Sequence, residues 1–270
     1  MYEYPTHLRD AIRDLPQAPG VYLFHGQEGD LPVYIGKAIQ LRRRVLSHLR
    51  RVDEARMLQQ TQRITYVRTA GEIGALLLEA QMIKQQQPLW NQKLRRNRQL
   101  CSLSLRTGLP EVVYSKDVNF ASASQLYGLF SSRHAALARL RSLADENKLC
   151  YAVLGLEKHV PGKPCFRAML RQCAGACRGD ESMATHQSRL FESLEGLQVA
   201  CWPFDGAIGL VERFEELLHI HVVRNWCYLG SAATPAEAKT LDSPAAGFDA
   251  DGYKILCRPV LGGTAEIMLL

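Results

Sequence analysis

An α/β (α+β) chain, with small sheets flanked by helices, is predicted by three features of the sequence. The first hundred residues open on a hairpin and then change to helical period. Residues 150–180 gather cysteine and glycine, and the tail from about residue 201 returns to short β-like runs. Three segments follow: 1–98, a compact unit with a small mixed sheet; 99–200, a linking, helical and Cys-rich region suited to metal; and 201–270, β-rich.

The hairpin is read from Pro19-Gly20 before a strand over 21–25, from Gly26, Gly29 and Asp30 as turn residues, and from a second strand over 31–36. A loop centred near residue 28 sets Tyr22 opposite Tyr34 on one face of the sheet, an arrangement that also stabilises hairpins without any chemistry. From Leu41 the apolar positions Leu41, Val45, Leu46 and Leu49 follow helical spacing, and Arg44 and His48, four apart, are neighbours on that helix. A second helix is predicted over 72–87, ending before Pro88, with Ile73, Leu76, Leu77, Ala80 and Ile83 toward the core. Glu79 borders that stripe, so its carboxylate needs a cation or hydrogen-bond donors.

Further on, strand-like pieces cover 102–106 and 111–115, and a helix over 134–143 has Ser131 or Ser132 as cap. Residues 184–199 read as helical, and 208–211, 219–223 and 254–257 read as strands.

Composition narrows the class. With 270 residues, 47% of them apolar and 22% charged, the chain can bury a large core, which excludes a disordered or fibrous protein. The N-terminus lacks the apolar core of a secretory signal, and the longest apolar run, GALLLEA, is too short to span a bilayer. A cytoplasmic setting with no membrane partner is the expectation, and there eight cysteines serve as thiols or metal ligands. Net charge is +6, yet the basic excess sits wholly in the first hundred residues. Residues 37–51 carry Lys37, Arg42, Arg43, Arg44, Arg50 and Arg51 without an acid, and residues 84–98 carry Lys84, Lys93, Arg95, Arg96 and Arg98 likewise. Polyphosphate is the partner such stretches suit, with DNA contacts expected at Arg42, Arg43, Arg50, Arg51, Lys84, Lys93, Arg95, Arg96 and Arg98.

Read together, PGVYLF, PVYIGKAIQLRRRVLSHL and EIGALLLEAQMIKQQQPLWNQKL closely resemble, over about residues 17–97, the GIY-YIG nuclease domain of the UvrC type. The two tyrosine motifs are Gly20-Val21-Tyr22 and Tyr34-Ile35-Gly36. The resemblance implies a divalent-metal-dependent endonuclease in which Tyr22 and Tyr34 order or deprotonate the attacking water, Arg44 clamps the scissile phosphate, and Glu79 is the one protein ligand of Mg²⁺ or Mn²⁺. Such chemistry is sound, because magnesium keeps most of its waters and takes only one or two carboxylates, and a cation with a guanidinium stabilises the charge that develops on phosphorus. Lys37 would lower a neighbouring phenol's pKa or contact phosphate, and Asn91 would tie the domain together or position substrate. His48 departs from the family, which usually has tyrosine there, so histidine and phenol are both candidates for the base.

UvrC proper adds a UvrB-binding segment, a second nuclease and helix-hairpin-helix motifs, for which 270 residues leave no room. The chain thus resembles a short, single-nuclease relative of UvrC. That resemblance implies incision of damaged double-stranded DNA on the 3′ side of a lesion, with UvrB as partner after UvrA loading. Two other readings compete: a catalytically silent metal-binding adaptor for DNA or UvrB, and a structure-specific endonuclease independent of UvrB.

Cys150, Cys165, Cys173 and Cys177 cluster with spacers of 14, 7 and 3 residues, whereas Cys101, Cys201, Cys227 and Cys257 are scattered and read as small buried hydrophobes. Four thiolates from a Gly-containing loop can close around tetrahedral Zn²⁺ or an iron-sulfur cube, and spacing does not separate the two. The UvrC resemblance implies a [4Fe-4S] cluster, with Zn²⁺ as the alternative.

Overall fold

The structure is a computed structural model that describes residues 6–27, 31–91, 100–158, 160, 163–241 and 248–270. In chain order the elements are α1 (Leu8–Arg13), β1 (Gly20–His25), β2 (Pro32–Ala38), α2 (Leu41–Leu49), α3 (Ala55–Gln60), β3 (Arg63–Arg68) and α4 (Glu72–Gln86). Next come β4 (Cys101–Ser104), β5 (Glu111–Tyr114), β6 (Leu126–Phe130), α5 (Arg133–Glu146), α6 (Phe166–Met169) and α7 (Met183–Leu194). The chain ends with β7 (Ile208–Phe214), β8 (Leu217–Arg224), β9 (Cys227–Ala232), α8 (Pro235–Thr240), α9 (Ala250–Leu261) and β10 (Glu266–Leu269). Two compact units result: Met1–Asn97 with Pro203–Leu270, and Arg98–Trp202.

In the first unit, β1 is the centre of a three-stranded sheet of order β2-β1-β3, buried along its whole length. Alternation sorts its side chains. Tyr22 and Phe24 face a core shared with Leu8, Leu41, Val45, Leu49 and Leu58 from α1, α2 and α3. Val21, Leu23 and Ile35 face the other way, onto Ile83 of α4. The α/β class is the one expected, but the named strand pairs are antiparallel throughout, where a mixed sheet was predicted.

The hairpin register also differs from expectation. Tyr22 stands opposite Gly36, and Tyr34 opposite Phe24, two residues from the expected pairing; an irregularity between Phe24 and His25 accounts for one residue of that difference. A two-residue slip preserves the face, so both tyrosines still point the same way. Gly36 is the residue this register requires: a Cβ there would lie 2.3 Å from the Tyr22 hydroxyl oxygen.

Helix α4 carries its buried residues at Gly74, Ala75, Leu77, Ala80 and Ile83, while Ile73 and Leu76, expected in the core, are half-buried. The physical reason is that α4 has neighbours on two sides. Besides the β1–β2 sheet, it meets a four-stranded sheet of order β10-β7-β8-β9 from the tail. Gly71, at its N-cap, has no side chain to offer the exposed amides, and Glu212 of β7 supplies the acceptor instead. Its carboxylate takes Ile73 N–H at 2.9 Å and Gly74 N–H at 2.8 Å. His221 Nε2 lies 2.9 Å from the same carboxylate, and His221 Nδ1 lies 2.6 Å from Ser231 Oγ. Burial pushes the Glu212 carboxyl up, but the His221 hydrogen bond and the two amides outweigh it and hold the group below the usual carboxylate range.

Residues 254–257, expected as strand, belong to helix α9. Asp249 caps it by accepting Asp251 N–H at 3.2 Å, and Gly252, Leu256 and Val260 bury one face at four-residue intervals. Three apolar residues, Ile255, Leu256 and Cys257, are too few to reveal their period.

The second unit packs α5 and α7 on a sheet of order β5-β4-β6, around Leu103, Tyr127, Leu140, Leu143 and Leu190. Ser132 is the α5 cap, its Oγ accepting Ala135 N–H at 3.1 Å. Of the scattered cysteines, Cys101 and Cys227 are buried as expected, whereas Cys257 is half-buried and Cys201 exposed.

Candidate active site

Strand β1 delivers Tyr22 to the floor of a cavity of about 610 Å³, and the helix and strand around it supply the walls: Tyr34, Lys37, Arg44 and Glu79 all line it. The two tyrosine rings lie 6.1 Å apart, tilted by 40°. Burial, with Tyr34 beside it, drives the Tyr22 phenol far above its ordinary pKa against the opposing pull of Arg44. Burial raises Tyr34 as well. Neither phenol ionises unaided near neutral pH. The Tyr22 hydroxyl in turn holds the Arg44 guanidinium in its charged form.

Glu79 comes from α4 but meets the β2 edge, where Lys37 N–H donates to its Oε1 at 2.9 Å. Burial raises its carboxyl, while the Lys37 amide and the charges of Lys37 and Arg44 pull it back. A half-buried carboxylate facing a polar cavity, with one backbone donor on it, is a donor set that fits a hard divalent cation retaining its waters. Lys37 Nζ lies 2.6 Å from Glu72 Oε1, on the first turn of α4. Asn91 acts as a brace in this structure: its Oδ1 accepts Ile35 N–H at 2.8 Å and its Nδ2 donates to Ile35 O at 2.7 Å, fastening the middle of the second tyrosine motif.

His48, only 2% exposed, sits under Tyr22 with its Nε2 2.5 Å from the phenol oxygen. Its Nδ1 meets the carboxylate of Glu54. Burial lowers the His48 pKa more than Glu54 restores it, so the ring is neutral at neutral pH.

The basic residues separate into three groups. Arg42, Arg43, Arg50 and Arg51 line a second cavity of about 570 Å³, which shares Gln40, Arg43 and Ser47 with the first. Arg51 is already engaged there, by Asp53 and Glu54. Lys84, expected to meet phosphate, is instead clasped by Asp249 at 2.6 Å and Asp251 at 3.3 Å, because α9 lays its acidic first turn against α4. Lys93, Arg95, Arg96 and Arg98 lie outside the described residues. Sequence reasoning missed Glu54, Glu72 and Glu212. Glu54 follows the end of α2 and Glu212 is 138 residues from Gly74, so neither stands at a helical or strand spacing from its partner.

In the second unit the four cysteines of the cluster converge. Cys165 Sγ lies 3.7 Å from Cys150 Sγ and 3.9 Å from Cys173 Sγ, and the sulfurs of Cys150, Cys165 and Cys177 all lie within 4.8 Å of one another. Backbone amides already point at two of them, from Cys165 to Cys177 Sγ and from Ala168 to Cys165 Sγ. Burial raises the thiols of Cys150 and Cys173 and brings Cys165 to about 11. At Cys177, burial is outweighed by the hydrogen bonds it accepts, and the thiol is lowered. Three packed thiols that burial makes costly to ionise, a fourth that its hydrogen bonds favour as thiolate, and amides aimed at sulfur fit a thiophilic metal centre.

Three family descriptions match successive stretches of the chain: a UvrC-like GIY-YIG domain over 18–92, the UvrC/Cho excinuclease middle domain over 91–196, and the excinuclease Cho C-terminal domain over 207–270. The chain is 56% identical to excinuclease Cho of Escherichia coli K12 over 267 residues, which is 99% of this chain and 90% of that protein. To excinuclease Cho of Salmonella typhi it is 53% identical, covering 100% and 92%. UvrABC system protein C of Sphingopyxis alaskensis is 33% identical over 63% of this chain and 27% of its own length. Among solved structures, the magnesium-bound GIY-YIG endonuclease domain of UvrC from Thermotoga maritima matches at 30% identity, 32% of this chain, 98% of its own and a TM-score of 0.30. With identity above half across nearly the whole of both chains, and three matched segments in order, the chain belongs to the UvrC-related Cho excinuclease family and is a phosphodiester-hydrolysing endonuclease of DNA repair.

Proposed function

We propose that this nuclease cuts damaged double-stranded DNA on the 3′ side of a lesion, within a complex of UvrB loaded by UvrA, in the cytoplasm. What supports the chemistry is one observation: Tyr22, Tyr34, Arg44 and Glu79 line a single cavity. It adjoins a second, arginine-lined cavity able to take flanking phosphates. Among the described residues, no helix is long and apolar enough to cross a membrane.

In this reading the scissile phosphate enters against Arg44, whose fixed positive charge meets the negative charge building on the non-bridging oxygens. The hydroxyls of Tyr22 and Tyr34 orient the attacking water, and Lys37 adds charge at the rim. Glu79 would hold Mg²⁺ or Mn²⁺, which when bound supplies Lewis-acid stabilisation of the leaving 3′ oxygen. Arg42, Arg43 and Arg50 hold the backbone and read no base, so binding weakens steeply with salt and shows little sequence preference. Cys150, Cys165, Cys173 and Cys177 would hold a [4Fe-4S] cluster, or zinc as the alternative. Iron with visible absorbance in anaerobically purified protein supports the first, and stoichiometric zinc the second.

The test is Mg²⁺-dependent nicking of a defined adduct preloaded with UvrA and UvrB, by wild type and by Glu79→Ala. Wild type cuts 3′ of the adduct and the variant loses on the order of 10²-fold or more. Equal nicking by the variant overturns the metal assignment. Cutting of undamaged flaps without UvrB replaces this reading with the structure-specific one.

A further inference from the structure

We propose that Glu54 is a positioning residue of this active site, completing a proton relay that runs from the attacking water through Tyr22 to His48. The inference deepens the reading of the site given above and rests on it. Three observations carry it. His48 Nε2 faces the Tyr22 oxygen at 2.5 Å, its Nδ1 faces the Glu54 carboxylate, and Tyr22 lies on the wall of the cavity that holds Arg44 and Glu79.

The hydrogen-bond inventory fixes the direction of the relay. A carboxylate only accepts, so it takes the proton of Nδ1, and the neutral ring is left with Nε2 as an acceptor. Nε2 then takes the hydrogen bond of the Tyr22 hydroxyl, whose oxygen meets Arg44 and keeps one lone pair for the water. A phenol raised so far by burial is not populated as a phenolate near neutral pH, but it can accept one proton while giving up its own. As the water oxygen bonds to phosphorus and the bond to the 3′ oxygen breaks, the water's proton passes to Tyr22. The Tyr22 proton passes to Nε2, and the departing oxygen collects a proton from solvent. The imidazolium that forms is buried, where a lone charge is costly, and Glu54 is the group that offsets it. The ring returns its proton to solvent after product leaves. An imidazole at position 48 makes a carboxylate partner necessary.

The charged and titratable groups around the His48 ring are Arg44 on its own helix, Tyr22 and Tyr34 from β1 and β2, and Arg51 and Glu54 from the segment after α2. Among these, Glu54 alone raises the ring's basicity. Its removal therefore has a directional effect on the pH profile, which a merely structural role would not produce.

The experiment compares kcat and KM against pH for wild type, Glu54→Gln and Glu54→Asp on adduct DNA with UvrA and UvrB, together with the nitrogen-15 spectrum of the DNA-free protein. His48 is assigned by its absence in His48→Asn. Glu54→Gln should lower kcat on the order of 10²-fold with KM unchanged within about twofold, and the acidic limb of kcat should move to lower pH. Glu54→Asp should recover part of the loss. In the wild-type spectrum His48 should carry its proton on Nδ1. A limb that stays in place, a loss confined to KM, or a proton on Nε2 overturns the relay. The spectrum needs no cleavage, so it decides the Glu54 contact even if the wild type fails to cut and the reading of the site falls.

Discussion

Among its described residues the first unit shows two Glu–His pairs, each with a buried imidazole, that have nearly the same chemistry and opposite consequences. At α2, His48 stands between Glu54 and the Tyr22 phenol, and that phenol borders a cavity. At the start of α4, His221 stands between Glu212 and Ser231, and Glu212 spends its remaining capacity on two helix amides. One pair ends at a place where substrate can enter. The other ends in backbone and in a Tyr228–Ser231 hydrogen bond, closed on itself. What the second ring nitrogen meets thus separates the two pairs. In the proposed relay the first tunes a reacting group, whereas the second replaces the side-chain cap that Gly71 cannot provide.

Substitutions at the two pairs should separate activity from stability. Removing the hydroxyl at the open pair, Tyr22→Phe, should cost on the order of 10²- to 10³-fold in kcat with the melting temperature little changed, measured by nicking and thermal unfolding. At the closed pair, Glu212→Ala leaves two helix amides and a buried imidazole without their acceptor. It should destabilise by about 2–4 kcal/mol in urea unfolding, and kcat of the folded fraction should fall far less than in Tyr22→Phe. A comparable kcat loss in both would erase the distinction.

Proton linkage sharpens it in smaller steps. Burial lowers the pKa of His48, so the unfolded chain binds a proton that the folded one refuses once pH falls below about 6.5. Stability from this group is present above that pH and declines below it. For Glu212, held below the usual carboxylate range, the contribution is present above the unfolded value of about 4.3 and disappears as pH falls through the folded one. A pH series of melting temperatures should then descend in two steps, and Glu212→Ala should remove the more acidic one. The smallest effect concerns the basic residues: Arg43→Ala should reduce the salt slope of DNA binding by about one phosphate's worth, whereas Lys84→Ala, already neutralised by Asp249 and Asp251, should leave it unchanged.

Much of the site was legible because strand and helix periods are local. Alternation sends Tyr22 and Tyr34 to one face even though the register was misjudged by two residues, and helical spacing makes Arg44 and His48 neighbours. What escaped was non-local. The run at 254–257 became helix through its cap and its burial against neighbours, and α9 then brought two acids to Lys84. Glu54 and Glu212 found their partners through chain folding alone, at positions no periodic template connects.

The amino-acid order by itself determined which residue types share a face, which helix carries the carboxylate of Glu79 and which four thiols fall close together along the chain, since these follow from backbone periods and short spacers. Only the tertiary structure decided which carboxylate each histidine meets, which lysine is neutralised and which helix end is capped. Such pairings depend on burial between distant segments, where an unpartnered charge or amide costs too much to remain alone.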